Sequence, residues 1–456
     1  MKQVYFLLAI FWFLSFNAQN KQVLYNFAEL PQTLLLNPGS ETNYNIHFGV
    51  PLLSGFSLEI GSSGFVLSDI FADDGIDIND KISNVLKELT TQDFGKLNLQ
   101  IELLSAGFRV DYRTYLSFGL YTELDAFGYY PKDVFTLLNE GNSAYLNRNF
   151  NFSQISYKMD IMEVLHFGVS HKFTNKLTLG ARFKLYSSNM HASSNNNTGS
   201  FVTVAGVHNN YKHIFSDVDL KSNTSGIDRD SDSVESFANN LQSKFFQGNL
   251  GVGFDVGLTY HINDNLQFSG SILDIGFINH TKNIINVTAK GNFTTEGIDF
   301  QFNGNGGINY IDNLEAQFKR ELVTAVNDNS YQSYTPIKMN AALKYSFGDK
   351  TTRRINTFFD KDFYTEAMGI QLYTVFRPLR PQLALTAFYE KAFSNKVNAK
   401  ITYTLDKINQ ANMGAGISIR YRRINFHGMI DNLLAYRNLS SANNISLQVG
   451  INAILN

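Results

Sequence analysis

The residues best suited to chemistry in this chain are carboxylates gathered in two polar stretches. Asp73-Asp74-Gly75-Ile76-Asp77-Ile78-Asn79-Asp80 collects carboxylates around a turn, and Asp228, Asp230 and Asp232 are spaced two apart, with Glu235 following. Several convergent oxygens are what a hard cation such as calcium requires. Neither stretch follows an EF-hand: the glycine is displaced in the first, while the second has Ser233 in the glycine place and Asn239 at the twelfth. A competing reading makes Asp232 a helix N-cap and Glu235 its capping-box partner. The candidate metal ligands are therefore Asp73, Asp77, Asp228, Asp230 and Asp232, with calcium as the ion, and no other cofactor is expected. His208 and His213 near Asp217 and Asp219 could hold a metal or simply be solvated loop residues. His166 and His171 are an odd number apart, so one strand sends them to opposite faces. A nucleophile elbow, a Walker loop, an HExxH pair and a Rossmann fingerprint are all missing. Cysteine is absent as well, which removes thiol chemistry, disulfides and zinc fingers. The expectation is a protein that is not an enzyme.

The elements that would position such residues are strands. Leu250, Val252, Phe254, Val256, Leu258 and Tyr260 alternate with Gly251, Gly253, Asp255, Gly257, Thr259 and His261. Leu97, Leu99, Ile101 and Leu103 alternate with Asn98, Gln100 and Glu102, and Met339 to Phe347, Val397 to Asp406, Met413 to Arg422 and Ile445 to Asn452 behave alike. Period two is the mark of a β-strand with one apolar face. Segments of about ten to twelve residues suit tilted strands that cross a bilayer. Compact Asn-rich turns at Phe173–Leu177, Ile262–Leu266 and Phe393–Val397 contrast with polar stretches at Ser187–Ser200, Lys221–Asp232 and Arg353–Tyr364. That asymmetry predicts short periplasmic turns and long outer loops. The fold class is all-β: a transmembrane antiparallel β-barrel of about 14 strands, within 12 to 16. A secreted β-sandwich is the alternative. Short loop or rim helices are expected at Pro131–Gly141, Ser233–Phe245 and Tyr310–Val326.

Lys2 followed by the apolar run Val4 to Phe16 and by Asn17-Ala18-Gln19 reads as a signal peptide over 1–19. Residues 20–43 are then an N-terminal plug or periplasmic segment, and 44–456 the outer-membrane barrel. The 38 Lys plus Arg balance 40 Asp plus Glu, for a net charge of −2. Without a basic surplus, nucleic acid is not a partner; outer-membrane lipid is.

The alternation sends Glu102, Asp255, Lys338, Lys344, Lys400, Asp406, Arg420 and Arg422 into the barrel. Two readings stand for these charges: a selectivity ring, or a salt-bridge network that holds lumen and plug together. Gly251, Gly253 and Gly257 on the same face leave room for a plug or a neighbouring side chain. Tyr and Phe on the outer face should form interfacial girdles.

The stretch from Tyr25 to Ser40, which contains Leu36-Asn37-Pro38-Gly39, resembles the N-terminal motif of Bacteroidota outer-membrane proteins of the PorP/SprF kind, and of a related uncharacterised domain family. Ser271–Ile278 and Ile430-Asp431-Asn432-Leu433 fit the same group. The resemblance implies a barrel of FadL-like type with an N-terminal plug, and a link to type IX secretion. Two functions follow as expectations: a channel or carrier for a small, hydrophobic solute, plugged by Tyr25–Ser40, or a non-enzymatic platform whose partner is a secretion or cell-surface protein.

Overall fold

The computed structural model describes residues 21–456 apart from 28–29, 207–210, 228–246, 297–320, 355–359, 407, 409–411 and 456. The signal segment, Asp228, Asp230, Asp232 and the helix expected at Ser233–Phe245 lie outside the described residues.

Among the described residues, twenty-one strands form one antiparallel sheet. In chain order they are β1 (Ile46–Gly49), β2 (Phe56–Ser62), β3 (Phe94–Arg109), β4 (Thr114–Tyr129), β5 (Asn149–Asn151), β6 (Tyr157–Lys172), β7 (Leu177–Ser194), β8 (Thr198–Ala205), β9 (Tyr211–Ser225), β10 (Asn249–His261) and β11 (Leu266–His280). They continue with β12 (Ile284–Glu296), β13 (Leu322–Asn327), β14 (Tyr331–Tyr334), β15 (Lys338–Arg354), β16 (Asp360–Phe376), β17 (Pro381–Ser394), β18 (Val397–Leu405), β19 (Asn412–Tyr421), β20 (Ile424–Asp431) and β21 (Asn444–Leu455). β1 and β2 are halves of one wall strand, since both pair with β3 and with β21. β14 and β15 likewise both pair with β11. The wall runs from β1/β2 through β3, β4, β6, β7, β10, β11, β14/β15 and β16 to β20, and β21 closes it onto β1/β2 as a barrel of fourteen strands. Closure removes the unpaired edges that an open sheet would present to lipid.

The barrel is inverted relative to a soluble protein. Leu250, Phe254, Ile401, Ile417 and Val449 are exposed on the outside, whereas Glu102, Asp255, Lys400 and Gln448 are buried inside. This is the alternation read in the sequence, with lipid taking the place of a second sheet. It shifts phase once: a bulge between Glu102 and Leu104 turns Leu104, not Leu103, to the exposed outer face. Exposed Phe173, Tyr260, Tyr345, Phe393 and Tyr421 cluster where strands end at the short turns.

Those turns, at 110–113, 173–176, 262–265, 395–396 and 422–423, share one end with the start of β1 and the finish of β21. The opposite end carries the long connections. Two polar stretches expected to be loops are partly strand there: Ser187–Ser194 completes β7, and Lys221–Ser225 completes β9. Of the stretch Arg353–Tyr364, residues 353–354 end β15 and 360–364 begin β16, paired at the short-turn end and not in an outer loop as expected, because Tyr345 lies opposite Leu266 at the β10–β11 turn. The helix Lys132–Glu140 lies between Pro131 and Gly141 as expected. Of the segment Tyr310–Val326, residues 322–326 are strand β13, since cross-strand pairing to β12 overrides their helical spacing. Beyond the outer rim, β5, β8, β9, β12 and β13 form an annex whose buried core is Phe150, Phe152, Phe201, Val218, Phe293 and Leu322.

No helix among the described residues is long and apolar enough to cross a membrane. If the outer face is the lipid face, Ile417→Arg at mid-strand should cost about 2–4 kcal/mol and Tyr421→Arg at the rim about 0–1 kcal/mol. Urea unfolding from lipid vesicles reads the difference; equal losses would mean that depth does not matter and lipid is not the solvent there.

Candidate functional site: the plugged lumen

The lumen is occupied by the chain's own N-terminal segment. Its one-turn helix, Thr33–Leu36, is too short to be stable alone, and its last carbonyls lack intrahelical partners. The wall supplies them. Arg182 of β7 donates Nη1–H to Leu34 O at 2.8 Å and Nη2–H to Leu35 O at 2.7 Å, while Ser271 of β11 donates to Leu36 O at 2.6 Å. The same guanidinium gives its Nε–H to Asp255 of β10 at 2.6 Å. All of this is buried, so each bond is made away from competing water.

Leu36-Asn37-Pro38-Gly39 follows directly. Asn37 donates to Leu258 O at 3.1 Å and accepts Gly39 N–H at 2.9 Å, which tightens the segment into a compact turn. That turn needs a recess, and two glycines make it: Gly180 of β7 and Gly257 of β10 face each other across the strand pair. A Cβ at Gly180 would collide with Pro38 O, and one at Gly257 with Asn37 Oδ1. The sequence pattern offered Gly257 as a place of close approach; Gly180 was missed. Gly253 admits the Tyr186 ring instead.

The remaining anchors run down the segment. Gln32 donates to Glu102 at 3.0 Å and exchanges bonds with Asn452, at 3.1 and 3.0 Å. Lys400 donates to Tyr25 O at 2.6 Å while pairing with Glu390 at 3.3 Å. Arg109 holds Thr42 O at 2.6 Å, and Asn26 donates to Ser269 at 2.6 Å.

The charges expected in the lumen are mostly there. Lys338 pairs with Asp274 at 2.9 Å, Lys344 with Glu390, and Lys184 with Asp255 at 3.0 Å and with Asp274. Asp406 is buried beyond the end of β18, and Arg420 reaches Ile454 O at 3.2 Å near the short-turn rim. Arg422 is a correction. It sits in the β19–β20 turn with φ 55° and lies over Tyr421, because the strand stops one residue earlier than its alternation suggested. Arg182, Lys184, Asp274 and Arg377 were missed. The signal for the first two was present, since Leu179, Ala181, Phe183 and Leu185 alternate with them. These neutralised pairs surround the plug, which is the network reading of the inward charges rather than an unoccupied selectivity ring.

The first acidic stretch does not converge on a metal. Asp77 caps the helix Ile78–Glu88 by accepting Asn79 N–H at 2.8 Å, and Asp74 pairs with Lys81 at 2.5 Å, whose ammonium holds the carboxyl below its usual range. Asp73 is exposed. Among the described residues no three His, Cys, Asp or Glu side chains gather as a metal group.

Between plug and wall, at the short-turn end, a vestibule of about 230 Å³ is lined by Phe27, Glu41, His261, Lys344, Glu366 and Lys391, among others. Removing the Arg182 bonds, each worth about 1.5–3 kcal/mol when charge-assisted, should raise the population of displaced plug roughly tenfold or more. In a Ser40→Cys protein, the only thiol in the chain, Arg182→Met and Gly257→Val should speed maleimide labelling accordingly; unchanged labelling would show that these contacts do not hold the plug.

A family model described as a family of unknown function, DUF5723, matches residues 38–431. No curated protein matches significantly. Among solved structures, the chain is similar to the Ralstonia pickettii toluene transporter TbuX at 9% identity, covering 93% of this chain and 94% of that one with a TM-score of 0.42. It is similar to a Pseudomonas aeruginosa FadL homologue at 10% identity, with coverage of 96% and 99% and a TM-score of 0.43. The CymD monoaromatic hydrocarbon channel gives 9%, 97%, 94% and 0.40. These likenesses concern the fold. The match extends from the plug's Pro38 to the end of β20, and the chain therefore belongs to the DUF5723 family.

Proposed function

We propose that this protein is a gated outer-membrane channel or carrier for a small, hydrophobic solute, with the N-terminal segment as its gate. The observation that carries the reading is what the plug covers. Leu35 packs against Tyr121, Met162, Val164, Tyr186 and Ile278, and Val23, Leu24, Phe27 and Leu30 cluster with Met429. Withdrawal of the segment would bare the apolar wall patch of Tyr121, Met162, Val164, Tyr186 and Ile278, and Met429 on the opposite wall strand, in an otherwise polar lumen. A solute with a compact apolar body could replace the plug's leucines there, and its burial would offset part of the cost of opening. The plug is held to the wall by hydrogen bonds and packing, with no covalent link, so its displacement is thermally accessible. Localisation in the outer membrane of a Gram-negative bacterium, after export by the 1–19 segment, completes the reading.

Planar-bilayer conductance tests it. The intact chain should be closed, with rare openings, and a variant lacking Gln22–Ser40 should conduct steadily. An Asn26→Cys/Ser269→Cys cross-link should silence the intact chain until it is reduced. A truncated barrel that still migrates as a folded, heat-modifiable species but stays silent would overturn the gate.

One observation favours a second reading, a non-enzymatic platform for a secretion or cell-surface protein partner of the type IX kind in Bacteroidota. Strand β13 of the annex leaves Val323 and Val326 exposed, and nearby Tyr334 is 71% exposed. Copurification of a surface protein that is lost on Val323→Lys would support the platform.

A further inference from the structure

Two buried histidines face each other in the lumen near its outer end, with ring centroids 4.4 Å apart. His191 comes from β7 and His280 from β11. Their hydrogen bonds differ in kind. His280 has a hydroxyl on each nitrogen, Ser225 Oγ on Nδ1 at 2.7 Å and Ser333 Oγ on Nε2 at 2.8 Å. His191 instead has a carboxylate on Nδ1, Asp160 Oδ1 at 2.6 Å, and the Ser193 hydroxyl on Nε2 at 2.9 Å. An ionised carboxylate only accepts, so Nδ1 carries the proton and Nε2 is left as a base toward Ser193.

Strand register builds this arrangement. Asp160 of β6 lies opposite His191, and Ser193 follows two residues on, along the same inward face. Lys158 lies opposite Ser193 and gives Asp160 its countercharge at 3.1 Å. On the other side of Ser193, Asn223 of β9 lies opposite it. His191 and Asp160 are buried, whereas Ser193 is half-buried, one residue short of the end of β7. The base is shielded from water while the hydroxyl stays accessible. His280, itself stacked on Tyr331 at 4.5 Å, holds the plane of the His191 imidazole.

We propose that Ser193, His191 and Asp160 form a hydrolytic triad that cleaves small, soluble carboxylic esters entering from the outer end. Ser193 Oγ adds to the ester carbonyl carbon as its proton passes to His191 Nε2; the acyl–oxygen bond then breaks, and that proton leaves with the alcohol. Water repeats the sequence on the acyl-serine and releases the acid. Asp160 is a positioning residue, and the Asn223 carboxamide is the donor for the oxyanion. The face that carries Ser193 looks into the lumen, and its neighbours Ser225, Asn286 and Ser333 are polar, which selects a short-chain ester over a membrane lipid. This departs from the expectation of a non-enzyme, which rested on sequence motifs, because Asp160 and His191 meet only through register. The activity is independent of conduction and of the plug.

The test combines labelling of the purified full-length protein in detergent by a fluorescent fluorophosphonate with hydrolysis of p-nitrophenyl acetate, each variant compared as its folded, heat-modifiable species. The parent should take one label per chain, mapped to Ser193 by mass spectrometry. Ser193→Ala should abolish both signals, and His191→Gln should lower both by about a thousandfold or more. Asn223→Ala should cut kcat about a hundredfold with KM nearly unchanged. Asp160→Gly should lose labelling and regain part of it on addition of formate, a rescue that a purely structural carboxylate would not show. A folded parent that takes no label, or label and hydrolysis that survive Ser193→Ala, would overturn the proposal. Loss in Asp160→Gly without rescue would reduce the cluster to a structural network and overturn the triad.

Discussion

Arg182 is the interaction on which the rest of the lumen depends. A closed barrel with inward polar side chains must satisfy those groups without bulk water, and a four-residue helix placed inside it must satisfy its own terminal carbonyls. One guanidinium answers both demands, with Nε on Asp255 and the two Nη groups on Leu34 O and Leu35 O. Its planar fork suits this division, and a lysine could not reproduce the geometry. Asp255 in turn shares Lys184 with Asp274, which passes to Lys338. The plug is thereby joined to a charge network that spans several strands.

Packing decides where the plug lies. Gly180 and Gly257 open the wall at the level of Asn37 and Pro38, while Tyr186 and Ile278 fill the neighbouring level and receive Leu35. Hydrogen bonds orient the segment and the glycine recess sets its depth. Neither kind of contact is covalent, so a closed resting state and displacement by a competing ligand are compatible.

The barrel was legible because its physics is local. Each strand announces its two faces within ten residues, as in Leu250–His261, and a lipid solvent requires the apolar face to point out. Leu103 and Arg422 depart from simple alternation, since a bulge and an early turn each change which way a residue points without changing composition. Leu322 and Val326 fail for a different reason: their helical spacing was overruled by pairing with β12.

For the site, legibility was partial. Leu36-Asn37-Pro38-Gly39 stood out as a segment, and Gly257 as a small inward residue, but nothing local joins positions about two hundred residues apart. From the sequence Asp77 reads as a candidate calcium ligand, and only the structure shows it as a helix cap that accepts Asn79 N–H. By itself the sequence determined the strand faces, the charge balance and the absence of thiol chemistry. Only the tertiary structure decided that Gly180 lies beside Gly257, that Arg182 caps the plug and that Lys184 joins Asp255 to Asp274. The physical reason is that strand register and closure, not sequence proximity, set which inward side chains meet.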